Sequence, residues 1–156
     1  MTAFEETIEV PRTPAEAFAY VADFTTAAEW DPGITSSRRL DSGPIRVGSE
    51  FDVVASFRDK ETPFRYVVRE LEPERRIVIH GDGEKATSDD TITFESTPGG
   101  TRIIYRAELK LKGFLRVAEP FLAGTFSKMG REALAGLRER LSTPASSAGR
   151  ARRSFT

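Results

Sequence analysis

Two periods of hydrophobic residues divide the chain. Through residue 111 apolar positions mostly alternate with polar ones, which predicts strands. From Phe114 onward they recur every three or four residues, which predicts helix. Phe4, Ile8 and Val10 alternate loosely with Glu5, Thr7 and Glu9 as a first strand, which Pro11 stops. Thr13 then fits a helix N-cap, with Pro14 at the first helical position and Glu16 three residues after the cap. Ala17, Phe18, Tyr20, Val21 and Phe24 give this short helix its apolar side. Thr25 or Thr26 can cap a second short turn through Ala27, Ala28 and Glu29, which Pro32-Gly33 ends.

The middle reads as consecutive hairpins. Residues 34–40 form a weak strand. Residues 49–58 place Phe51, Val53, Ala55 and Phe57 on one face, and residues 64–71 do the same with Phe64, Tyr66 and Val68. Pro73-Glu74 turns the chain into the strand-forming run Arg76–His80, and Asp82-Gly83 signals another turn. Residues 90–96 align Ile92 with Phe94. After Pro98-Gly99-Gly100, residues 101–111 align Ile103, Tyr105, Ala107, Leu109 and Leu111.

From Phe114 to Leu141 the stripe Ala118, Leu122, Phe126, Met129, Ala133, Leu137 and Leu141 predicts one long helix, with Pro120 marking a kink or its true start. Gly124, Gly130 and Gly136 each cost about 1 kcal/mol against alanine in a helix. Either the helix tolerates them, or they thin it for close contact with the sheet or a ligand. Seven strands at about 4.8 Å spacing make a sheet roughly 30 Å wide, and one helix spans only about 10–12 Å. The sheet must therefore curl, and whatever the side chains leave unfilled becomes an apolar cavity.

At 156 residues the chain is expected to be one domain over 1–141, followed by a disordered basic tail over 142–156. That tail holds Arg150, Arg152 and Arg153 and no acid, so the body carries 20 basic against 24 acidic residues, or −4. Such a body is not expected to bind nucleic acid. With no cysteine and one histidine, neither a disulfide nor a zinc site is expected, and no cofactor is implied. No apolar run is long enough to span a membrane, and the first ten residues do not resemble a signal peptide. A cytoplasmic protein, monomeric or homodimeric, is the expectation.

The order strand, two short helices, six strands, long C-terminal helix resembles the helix-grip fold of the START-like superfamily. The closest resemblance is to the bacterial polyketide cyclase/dehydrase-like (SRPBCC) family. The matching segments are TPAEAFAYVADFTTAAEWDP, FRYVVRELEPERRIVI, GGTRIIYRAEL and GREALAGLRERL, and the likeness covers about residues 3–141. It implies an α+β fold, with a curled seven-stranded antiparallel sheet around the long helix and two short helices between strands one and two. It also places the cavity entrance near Trp30. The fold hosts lipid carriers, hormone receptors, co-chaperones and a few enzymes. Three functions follow as expectations: binding or transport of a small hydrophobic molecule (aromatic, polyketide- or lipid-like), cyclisation or dehydration of a poly-keto chain, or a co-chaperone-like interaction role.

No catalytic signature carries over from the resemblance. The candidate ligand contacts are Trp30 at the mouth, as a gate or as a hydrophobic plug sealing the core; Phe51, Val53 and Phe57 on one strand; Tyr66 and Val68 on the next; Phe94 and Tyr105 further on; and Leu122, Phe126 and Met129 on the long helix. Tyr66 and Tyr105 are the inward polar groups able to assist chemistry, or ordinary core aromatics with satisfied hydroxyls. His80 tempts a general-base role, but the parity of Ile77 and Ile79 puts it on the other face. Asp23, Glu29 and Asp31 bracket the second helix and suggest a cation site, against the simpler reading of solvated loop acids. Glu6 shares the parity of Phe4 and Ile8 and could point inward, or reach solvent or an arginine.

Overall fold

A computed structural model describes residues 1–57 and 59–142. The expected basic tail lies outside the described residues, except for Ser142, which still belongs to the last helix. The first strand, β1, is Thr2–Val10. Thr13 caps the helix that follows, α1 (Pro14–Ala22). The Glu16 amide donates to Thr13 Oγ1 at 3.1 Å, and the Thr13 amide donates to Glu16 Oε1 at 3.1 Å. A cap of this kind stabilises a helix start by about 1 kcal/mol.

The second cap differs from expectation. Asp23, not a threonine, caps a 3-10 turn at Phe24–Thr26 by accepting from the Thr25 amide. Thr26 turns its hydroxyl to the Tyr20 carbonyl instead and accepts from the Trp30 indole N–H at 3.3 Å. The short helix α2 (Ala27–Trp30) is thereby tied back to α1.

Six further strands follow: β2 (Ile34–Arg39), β3 (Glu50–Phe57), β4 (Lys60–Glu72), β5 (Arg76–Gly83), β6 (Ala86–Thr97) and β7 (Gly100–Leu111). They form one antiparallel sheet in the order β1-β7-β6-β5-β4-β3-β2. The chain therefore meanders from β2 to β7, and β1 closes the far edge against β7. Asp82-Gly83 is not a turn. Both residues extend β5, with Asp82 paired to Thr87, because pairing with β6 continues past the run of branched side chains that marked the strand.

A 3-10 helix at Gly113–Ala118 leads into α3 (Glu119–Ser142), so Pro120 does mark the start of the regular helix. The two halves of α3 are covered unequally. Ala133, Leu134, Leu137 and Leu141 are buried, whereas Leu122, Phe126 and Met129 are only half-buried and Phe121 is exposed. Two of the three helix glycines serve close contact. A Cβ on Gly136 would stand 2.0 Å from the Trp30 carbonyl oxygen, and one on Gly130 would stand 2.5 Å from the Phe4 ring. Gly124 faces open space. The helix packs mainly on β1 and α2, with a lesser contact on β7, while α1 and the turn after it lean on β6 and β2. The half-covered region lies between the first half of α3, the end of β3 and the loop after α2.

Candidate functional site

The inner face of β6 carries an acid. Asp90 shares the parity of Ile92 and Phe94, so it points into the core, where it is 5 % exposed. Ser88, two residues earlier on the same face, donates to Asp90 Oδ1 at 2.8 Å. The Tyr105 hydroxyl, from the neighbouring strand β7, donates a short hydrogen bond to Asp90 Oδ2. Tyr66 of β4 completes the group, with Ser88 within hydrogen-bonding reach of its hydroxyl.

The ring of Tyr66 lies over Gly81 of β5, where a Cβ would come within 2.5 Å of it. Phe64 lies over Gly83 in the same way. These glycines let two rings lie flat against the sheet and bring the tyrosine close to Ser88, the residue paired with Gly81. Trp30 meets Tyr105 edge-on at 6.2 Å, and Phe24 meets Tyr66 at 5.0 Å. The result is a polar knot of two phenols, one carboxyl and one hydroxyl, walled by aromatic rings.

Its electrostatics follow from burial. Loss of water pushes the Asp90 carboxyl up to about 6, although the bonds from Tyr105 and Ser88 oppose the shift. Asp31, in the loop after α2, is likewise pushed up to about 6 by burial. The Gly33 amide opposes that shift, and the charges of Asp90 and Glu132 add to it. Among the described residues no lysine or arginine bonds to either acid. Burial also pushes the hydroxyls of Tyr66 and Tyr105 upward, so both remain protonated donors at neutral pH. The hydrogens of Tyr105 and Ser88 are committed to Asp90, so their oxygens are left to accept from a ligand's hydroxyls, and the knot holds a carboxyl that exchanges its proton at about pH 6.

A groove of about 300 Å³ shares no lining residue with this knot. Pro32, Gly33, Ser56, Phe57, Thr125, Lys128, Met129 and Glu132 line it, between β3, the loop after α2 and the first half of α3. Asp31 feels the charges of both Glu132 in the groove and Asp90 in the knot.

The expected contacts fall into three groups. Phe51, Val53, Val68 and Phe94 are packed into the closed core. Phe57 and Met129 line the groove, while Leu122 and Phe126 sit on the half-covered stretch of α3, Phe126 edge-on to Phe4 at 6.4 Å. Tyr66 and Tyr105 form the knot. Trp30 was expected at a cavity mouth, as a gate or as a plug sealing the core. It is 3 % exposed and lies against Tyr105, as a plug would, because Gly136 lets α3 close over it.

His80 is on the outer face, as parity indicated, with Nδ1 2.5 Å from Asp89 Oδ1. Asp23, Glu29 and Asp31 do not converge. Asp23 caps a turn, Glu29 accepts from the Tyr20 hydroxyl, and Asp31 accepts from the Gly33 amide. Among the described residues no group of three acidic or histidine side chains is placed to hold a metal. Glu6 is half-buried opposite Tyr105 and lines a separate groove with Arg131 and Arg138. Asp90 and Ser88 were missed from sequence, although Asp90 stands two and four residues before Ile92 and Phe94.

Residues 1–142 match the model of a family described as polyketide cyclase / dehydrase and lipid transport. The chain belongs to this family. No curated protein matches it in sequence. Solved structures share the fold of this family member at low identity. The Zhui aromatase/cyclase from a Streptomyces species aligns at TM-score 0.78 and 11% identity, covering 92% of this chain and 96% of that one. A START superfamily protein from Mycobacterium smegmatis aligns at TM-score 0.72 and 18% identity, covering 90% and 99%. A protein from Thermus thermophilus aligns at TM-score 0.76 and 16% identity, covering 89% and 96%. At such identities the likeness shows the helix-grip fold and carries over no residue role. The family points in general to hydrophobic ligands or polyketide chemistry. No helix among the described residues is long and apolar enough to cross a membrane.

Proposed function

We propose that this family member binds a small hydrophobic molecule bearing oxygen functions, aromatic, polyketide- or lipid-like, under the first half of α3. The observation that carries this reading is the buried Asp90–Tyr105–Ser88 knot, with a half-covered groove whose Glu132 and the knot's Asp90 both act on Asp31. A protein that needed only a core would gain by filling that position with carbon, because burying a carboxyl is costly. The groove admits the ligand past Phe57 and Met129, and the aromatic walls take its rings or chain. The hydroxyl oxygens of Tyr105, Tyr66 and Ser88 accept from its hydroxyls, while the Tyr105 and Ser88 hydrogens stay on Asp90. The core residues Phe51, Val53, Val68 and Phe94 shape the floor.

Trp30 reports occupancy, because its ring touches Tyr105. Hydroxylated aromatics or fatty acids are expected to change Trp30 emission and raise the melting temperature. If no member of either class does so, the binding reading fails.

The proton-exchanging carboxyl of Asp90, held by a phenol that stays protonated, favours a second reading: cyclisation or dehydration of a poly-keto chain. In that reading Tyr66 polarises a carbonyl, or Tyr105 does once Asp90 is protonated and no longer takes its hydrogen, while Asp90 moves a proton. Tyr105→Phe and Tyr66→Phe would then abolish product formation with folding intact. Full retention of turnover in both variants removes them as catalytic residues.

A further inference from the structure

Three large apolar side chains stand in solvent where the chain leaves the sheet. Phe114, Val117 and Phe121 are 85, 75 and 84 % exposed. Gly113, with φ +60, turns the chain off β7 into the 3-10 helix. In that helix Phe114 and Val117, three residues apart, share a face, and Phe121 follows one turn later at the start of α3. A few scattered exposed apolar residues need no explanation, but three on consecutive turns of one segment form a patch.

The same segment is basic. Residues 110–128 hold Lys110, Lys112, Arg116 and Lys128 against one acid, Glu119. Glu119 is buried, bonded to the Leu111 amide and ion-paired with the N-terminal amino group. Lys112 is tied to Asp82 at 2.9 Å. Arg116 lies beside Val117, and Lys128 stands two helical turns beyond Phe121 on the same side of α3. The whole chain has a net charge of −1, so this segment opposes the sign of the remainder.

We propose that the Phe114–Val117–Phe121 patch docks on an anionic lipid surface, with the rings entering the headgroup boundary and Arg116 and Lys128 against the phosphates. Amphipathic segments with apolar rings beside cations bind membranes in this way. A second copy of the chain fits less well. A two-fold contact through this patch would set Arg116 and Lys128 against the same cations of the partner. The proposal stands whatever the interior holds, because Phe114, Val117, Phe121 and Arg116 line neither the knot nor the groove, and only Lys128 reaches the groove.

The test is co-sedimentation of the full chain with phosphatidylcholine vesicles and with vesicles that also contain phosphatidylglycerol. Binding is expected to the second kind only, and to fall as salt is raised. Arg116→Gln and Lys128→Gln should each weaken it roughly fivefold. The double variant Phe114→Ser/Phe121→Ser should weaken it at least tenfold, with an unchanged melting temperature because both rings are already in water. That variant keeps Arg150, Arg152 and Arg153. If it binds as well as the wild type, the attraction belongs to the tail and the proposal is overturned. Failure of the wild type to bind mixed vesicles overturns it too, as does a concentration-dependent dimer that the phenylalanine changes dissolve.

Discussion

Asp89 and Asp90 are consecutive residues of one strand and meet opposite surroundings. Asp89 points to the outer face, is about two-fifths exposed, and pairs with His80 directly across the ladder. Asp90 points inward, is almost fully buried, and is held by hydroxyls alone. The outer pair stays hydrated, and surface pairs of this kind contribute little. The inner acid has lost its water and gained no cation, so its cost must be balanced elsewhere. A strand alternates its faces by geometry, and selection then decides what each face tolerates. An unpaired acid on the core face is the sign of a site; an ion pair on the outer face is not.

The largest expected break in this contrast is pH-dependent stability. The folded protein holds the Asp90 proton up to about pH 6, whereas an unfolded aspartate releases it near 3.8. Between those values the native state binds more protons, so stability falls as pH rises through the window. It is fully present below the lower value and levels off above the upper one. The linked loss is about 3 kcal/mol for a shift of this size. Asp90→Asn should remove its share of that slope in chemical denaturation and stabilise the protein at neutral pH, leaving the share that Asp31, also pushed up to about 6, contributes over the same window. Asp89→Asn should leave the slope in place. Asp41 and Glu119 are held below their ordinary values by hydrogen bonds, to Arg39 and the N-terminal amine respectively, and act in the opposite sense at lower pH. The difference between variant and wild type reports Asp90 together with the push its charge gives Asp31.

Packing offers a second, somewhat smaller break. Gly81→Ala puts a methyl into the Tyr66 ring on the inner face and is expected to cost about 1–3 kcal/mol by thermal melting. Moving that ring should also weaken ligand binding. Smaller still is the outer pair. His80→Gln is expected to change stability by less than about 1 kcal/mol and to leave ligand binding and any turnover unchanged. Loss of activity in that variant would return His80 to the list of working residues.

Much of the fold was legible because it rests on local rules. The capping box at Thr13, the alternation in β3, β6 and β7, and the stripe on α3 are patterns of a few residues each. The width of seven strands against one helix then required a curled sheet. What escaped was decided by distant partners. Asp82-Gly83 looked like a turn because its pairing with β6 is invisible locally. Trp30 looked like a gate because only Gly136, more than a hundred residues later, lets α3 close over it. Asp90 was hidden by its type, not by its position. Its parity with Ile92 and Phe94 was readable, but an aspartate next to another aspartate reads as surface. Tyr66 and Tyr105 were found because a phenol on an apolar face is unusual enough to note.

The central claim is that the interior knot selects ligands that carry oxygen. Isothermal titration of the wild type and Tyr105→Phe with a dihydroxynaphthalene and with naphthalene tests it directly. The wild type should prefer the hydroxylated compound at least tenfold, about 1.4 kcal/mol, and Tyr105→Phe should lose most of that preference while still binding the hydrocarbon. Equal affinity of the wild type for the two compounds, or a preference that survives Tyr105→Phe intact, would contradict the account.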